Sequence, residues 1–244
     1  MSGEPSGKEP GEEPGEAPDG VGAILTLADW RRAIGTLYAD VRHIAATDPA
    51  AALDHWRAAR EALYRDHPQS PVPADRRGSF RAAHFAHDPA LRFVVAVEPL
   101  EPSGGAAPSG TGPLDFGSAG GGLAIELPVS AGGAMAFRRF GAVTIPFAAG
   151  PRRLELYWME GYAGGLFLPF RDATNGTETY GAGRYLLDAA KSADLGGDRA
   201  AGTLILDFNF AYQPSCAFDP KWACPLAPPS NRLDVPIRAG ERLA

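Results

Sequence analysis

The chain has only two cysteines, Cys216 and Cys224, and no histidine beyond His87. Two thiols do not make a secreted disulfide scaffold and are ordinary for a reducing compartment. Nor do they make a zinc site, which takes four nitrogen or sulfur ligands. His84 and His87 stand beside Asp88 and Pro89 and read as a solvated loop, so no metal is expected. A nucleophilic Cys216 needs a histidine base or an electropositive setting, and neither adjoins it in sequence. The expected role of residues 212–231 is a proline-stiffened loop over a sheet edge, its thiols buried or joined.

Long apolar runs are absent as well: nowhere do about 18 consecutive apolar residues occur, so no membrane contact is expected. No basic segment followed by an apolar stretch opens the chain, which points to a soluble, cytoplasmic protein. The net charge is −6, with 23 Lys and Arg against 29 Asp and Glu. Most of that charge lies in Glu4, Glu9, Glu12, Glu13, Glu16 and Asp19, leaving the rest nearly neutral. Its basic residues are scattered and lack the footprint of a nucleic-acid binder. Phosphate-loop, nucleophile-elbow and His-Glu-x-x-His patterns are missing. Gly181-Ala-Gly183 is a fragment of a dinucleotide fingerprint inside a strand rather than at a helix start.

What is present is enough apolar content, 45% of 244 residues, to bury a substantial core in a single domain over 23–244. Residues 1–22, rich in Gly, Pro, Glu and Ser, read as a disordered acidic tail. Leu27, Trp30, Ile34, Leu37, Val41 and Ile44 recur at helical spacing after a capping-box-like Thr26 and Asp29, which predicts a helix over 26–46. Asp48 and Pro49 then start a second, with Leu53, Trp56, Arg60 and Leu63 on one stripe. The helical part thus covers 26–66, and a β-rich part runs over 78–241, interrupted by a mobile Gly/Pro/Ser loop over 99–120. Strands are predicted at 91–97, 122–129, 135–140, 142–147, 154–159, 203–210 and 233–237, besides a hairpin over 166–187. The expected fold class is α+β, mainly β: N-terminal helices, then a curled antiparallel sheet, sandwich or barrel-like.

Within that hairpin Asn175-Gly176 is a strong signal for a type I′ turn. Pairing about it sets Arg171 opposite Tyr180, Phe170 opposite Gly181 and Leu168 opposite Gly183, with the glycines making room for the larger side chains. One face then carries Arg171, Glu178, Tyr180 and Arg184. In Thr203–Phe210, Asp207 and Asn209 share the polar face of an apolar strand and can align with it. The six form a candidate ligand site: Arg forks suited to a carboxylate or phosphate, with Glu178 or Asp207 orienting the ligand or serving as a base. The alternative is that they satisfy one another as a buried ionic network fixing strand register.

The motifs Phe170-Arg-Asp-x-Thr, Thr179-Tyr-Gly-x-Gly-Arg-Tyr185, Asp207-Phe-Asn-x-Ala-Tyr212, Pro214-Ser-Cys-Ala217, Cys224-Pro-Leu226, Asn231-Arg-Leu233 and Ala239-Gly-Glu241 occur in this order. Over roughly residues 50–241 the chain resembles the bacterial family called domain of unknown function 1684. The resemblance implies helical segments followed by β-rich structure. It implies too that Arg171, Asp172, Glu178, Tyr180, Arg184, Asp207, Asn209 and both cysteines belong to one pattern. It carries no activity. Gln213 stands where the family pattern has Asn, and the acidic tail and the 99–120 stretch look peculiar to this chain. The expected function is recognition of, or action on, a small anionic metabolite. The alternative is a non-catalytic structural or interaction module. Cofactor and oligomeric state are not indicated.

Overall fold

The computed structural model of the chain describes residues 20–99, 122–161 and 164–244. The acidic tail up to residue 19 and nearly all of the 99–120 loop lie outside the described residues. Helix α1 runs over Gly20–Ala45, longer than the spacing predicted, because its first turns precede Thr26. The Thr26 hydroxyl bonds Ala23 O within the helix instead of capping it. Asp48 does cap α2, Pro49–Asp66: its Oδ1 accepts from Ala50 and Ala51 N–H, with Pro49 in the first turn. Leu53, Trp56 and Arg60 of the expected stripe are buried. A short α3, Ala74–Arg77, follows.

The strands are β1 Arg92–Pro99, β2 Leu123–Pro128, β3 Ala134–Phe147, β4 Gly150–Met159, β5 Gly165–Phe170, β6 Arg184–Asp188, β7 Gly197–Asp198 and β8 Thr203–Asp207. They form one antiparallel sheet in the order β6-β5-β4-β3-β1-β8-β7, with β2 also on β3. The sheet curls into a half-barrel, as the α+β reading expected. The two strands expected over 135–140 and 142–147 are one, β3, with a bulge between Arg139 and Gly141. An extra residue shifts the faces. Phe137 therefore joins the core under α1 and α2, while Val143, Ile145 and Phe147 join a second core. That second core is completed by Leu233, Ile237 and Ala239. The strand expected at 233–237 does not form; this segment crosses the sheet in irregular conformation.

The I′ hairpin is replaced by a different arrangement. Phe170 pairs with Arg184 and Pro169 with Tyr185, so residues 171–183 form a long connection instead of ladder. The physical reason is side-chain competition for the backbone. Asp172 Oδ1 accepts from Thr174 N–H at 2.8 Å, and Asn175 Oδ1 accepts from Asp172 N–H at 2.6 Å. Asn175 Nδ2 donates to Thr179 Oγ1 and Tyr180 O. Of the turn pair, Gly176 alone has positive φ, at 83°. Gly183 has φ 103°, and a Cβ there would collide with Phe170 O, so its need is backbone approach and not space for Leu168. Gly181 has no such neighbour.

Arg184 is wholly buried and bonds four acceptors: Asp172 Oδ2 at 2.9 Å and the carbonyls of Ile237 at 2.7 Å, Glu241 at 3.1 Å and Ala239. It staples the C-terminal segment to β6. Its loss leaves a buried carboxylate and three carbonyls without their donor. Arg184→Ala is expected to lower the unfolding free energy by about 3–5 kcal/mol, read from urea midpoints. A loss under about 1 kcal/mol would mean that other contacts hold residues 237–241. Gly183→Ala is expected to destabilise as well, through strain at positive φ, and to give a lower melting temperature than Gly181→Ala.

Candidate functional site

The structure distributes the six expected site residues instead of gathering them. Arg184 is held as described. Asp207 ends β8 by accepting from Asn209 N–H and Nδ2, and its Oδ2 meets Arg92 at 3.3 Å. This capping turns Phe208–Phe210 into a 3-10 turn, which is why the strand expected to reach residue 210 stops at 207. Asn209 in turn bonds the backbone N–H and carbonyl of Asp88, tying down the entry to β1. Glu178 is half-buried and forms a bidentate pair with Arg238, whose hydrogen bonds lower its pKa. Arg171 bridges Arg232 through its backbone, and Tyr180 lies against Cys216. Only Asp207 and Asn209 touch. Among the described residues each charge of this set finds a partner inside the chain apart from Arg171, which lines a groove beside β2.

Polar groups do converge elsewhere, beneath α1 at the open side of the half-barrel. A 220 Å³ cavity there has walls from Leu27 and Trp30 of α1, Phe137, Met159 and Phe167 of the sheet, and Trp222. Its polar end is built on the turn that follows β6. Asp188 caps this turn, Oδ1 accepting from Ala190 N–H, while Oδ2 accepts from Tyr212 OH at 2.7 Å. The turn ends in Lys191, because Ser192 adopts a left-handed φ of 53°. Lys191 Nζ donates to Ser215 Oγ at 3.1 Å and sits 5.1 Å from the Tyr212 ring centroid. Burial lowers the Lys191 pKa, and Asp188 opposes that shift. Burial, reinforced by Asp188, raises Tyr212 well above the phenol range, so its proton stays on the hydroxyl.

Behind Tyr212 the interior remains polar. The Arg60 guanidinium stacks over Tyr64, Tyr212 and Trp56, with centroid distances of 4.1, 4.8 and 5.3 Å, and ion-pairs with Glu241. Glu241 Oε2 also accepts from Gln213 N–H. The buried polar groups thus run from Asp188 through Tyr212 and Arg60 to Glu241, which borders a second, open cleft of 430 Å³. In that cleft Arg76, Arg81 and Arg242 spend hydrogen bonds on the carbonyls of Phe218, Phe80 and His84. His84 stacks edge-on against Trp56, and its pKa is pushed down to about 4 by burial and by the nearby charges of Arg57 and Arg60.

Sequence reasoning passed over Lys191, Asp188 and Ser215. Two signals existed. Asp188 and Lys191 close the apolar run Tyr185-Leu-Leu, and Arg60 interrupts an otherwise apolar helix stripe. Neither reveals that a turn and a helix face meet around Tyr212.

A helix-capped, curled antiparallel half-barrel with a small, partly open cavity is the class that fold and site define. The chain belongs to the family described as "Protein of unknown function (DUF1684)", whose model matches residues 113–242. A solution NMR structure of an uncharacterized protein from Haloarcula marismortui is similar to it. The TM-score is 0.53 at 27% identity, covering 79% of this chain and 93% of that one. No curated protein matches the chain.

The unfolded chain binds a proton at His84 near pH 6.5 and the folded chain only near 4, so stability falls as pH drops through that window. Relative to His84→Gln, the wild type is expected to lose stability between pH 6.5 and 4 and to match its trend above. Parallel curves for the two proteins across that window would rule out a buried neutral His84.

Proposed function

We propose that this protein binds a small molecule with an apolar body and an anionic end, the anion meeting Lys191. The observation that carries this reading is the half-buried Lys191 ammonium lining an apolar-walled cavity. It has three donors, and Ser215 Oγ is its one hydrogen-bond partner among the described residues. Asp188 takes no hydrogen bond from it among the described residues, its oxygens accepting from Ala190 and Tyr212, and acts on the ammonium only through its charge. The volume of 220 Å³ is below the roughly 300–1,000 Å³ of pockets for drug-sized ligands, which favours a compact ligand. Anion recognition was read from Arg171 and Arg184 in the sequence; we move it to Lys191, because Arg184 is spent on four acceptors.

Benzoate and hexanoate are suitable probes, with benzyl alcohol and hexanol as neutral counterparts. The carboxylates are expected to raise the melting temperature and the alcohols not; at about 100 times Kd the gain is about 2.7 kcal/mol. Lys191→Met is expected to remove the gain while keeping the fold. Equal stabilisation of the Lys191→Met protein by the carboxylates would overturn the reading.

A second reading is a non-catalytic module whose ionic contacts only hold the sheet together. The internal pairing of Arg184, Asp207 and Asn209 favours it. It expects no response to any probe in the panel.

A further inference from the structure

The two cysteines, eight residues apart in a loop expected to be merely structural, meet at one point of the interior. Cys216 N–H donates to Cys224 Sγ at 3.3 Å, and the thiols face each other. Both are free. The Ser130 and Tyr180 hydroxyls also face the Cys216 sulfur. Ser130 is fixed there by the turn between β2 and β3, accepting from Cys224 N–H at 3.0 Å and donating to Trp222 O at 2.8 Å. The Cys224 thiol and the Tyr180 hydroxyl donate to this sulfur and stabilise its thiolate, pushing Cys216 down to about 6 against the opposing cost of burial. Cys224, the donor to that sulfur, is pushed up. Tyr185 and the Lys191 ammonium are the other titratable groups facing the pair, and Lys191 adds positive charge beside Cys224. Each residue is 7% exposed, and Cys224 forms part of the cavity wall beside Ser215, the chain neighbour of Cys216.

We propose that Cys216 and Cys224 are a peroxide-reactive thiol pair, Cys216 attacking and Cys224 resolving, that closes into a disulfide. The Cys216 thiolate attacks an oxygen of a hydroperoxide. The O–O bond breaks, its electron pair leaves on the departing oxygen, which takes up a proton, and Cys216 becomes a sulfenic acid. The Cys224 sulfur then attacks Cys216: the S–S bond forms, the S–O bond breaks, and the hydroxyl leaves with the Cys224 proton as water. The dithiol loses two electrons and the hydroperoxide gains them, yielding an alcohol or water and a second water. Nothing in this chemistry depends on the carboxylate reading, and its test contains no carboxylate.

The test treats the folded, full-length chain with stoichiometric hydrogen peroxide and follows it by intact mass and peptide mapping. The expected product has lost both thiol hydrogens, links 216 to 224, resists alkylation and is restored by dithiothreitol. Cys224→Ser is expected to stop at a sulfenic acid on Cys216, trapped by dimedone, and Cys216→Ser to leave Cys224 unreacted. Tyr180→Phe is expected to slow oxidation severalfold near neutral pH and to move its pH profile upward, a readout that loss of packing alone does not produce. Two free, alkylatable thiols after treatment would overturn the proposal. So would linkage only in denaturant, or Cys216 passing to sulfinic acid in the wild type.

Discussion

The buried guanidinium of Arg184 is the constraint on which much of the architecture depends. A full charge without solvent is tolerable only when it is paired and most of its donors are engaged, and four acceptors on Asp172 and the 237–241 backbone take up both terminal nitrogens, leaving Nε alone without a partner among the described residues. Because the acceptors come from segments far apart in sequence, satisfying one side chain fixes three pieces of chain at once. The connection from 171 to 183 wraps so that Asp172 reaches inward. The C-terminal segment is drawn across the sheet, and β6 is anchored where its last residue, Asp188, can begin the turn that carries Lys191.

The same segment brings Glu241 to Arg60, so the helices are tied to the sheet through a second buried ion pair, cushioned by Trp56, Tyr64 and Tyr212. The interior is thus two apolar cores separated by polar linkages. The bulge in β3 serves both cores with one strand. Between the helix-side core and α1 the walls leave space, and the polar end of that space is the turn at 188–191. Positioning there is indirect: Asp188 orients the turn, Tyr212 holds Asp188, and Lys191 follows. On the other wall of the cavity, the loop expected to be structural places two sulfurs side by side.

Much of the local structure was legible. Asp48 and Pro49 mark the start of α2 because capping and a fixed proline φ are local effects. The alternation of apolar residues marks most strands for the same reason. The Asn175-Gly176 turn was misread because the sequence carries two competing instructions. Gly176 favours a tight hairpin, but Asp172, Thr174 and Asn175 close hydrogen bonds among themselves that a tight ladder would break. Thr203–Phe210 shows the same rule: alternation predicts eight residues of strand, and the Asp207 side chain takes the Asn209 amide and ends it.

What the sequence by itself determined is therefore the class of fold, the start of the second helix and most strand positions. These follow from periodicity and side chains acting on near neighbours. Which charges meet was decided only by the tertiary structure. Arg184 chose Asp172 and distant carbonyls, Asp207 chose Arg92, and Lys191 acquired its setting from Tyr212 and Ser215. Burial makes the partner of an ion obligatory, and burial depends on long-range packing that no window of sequence contains.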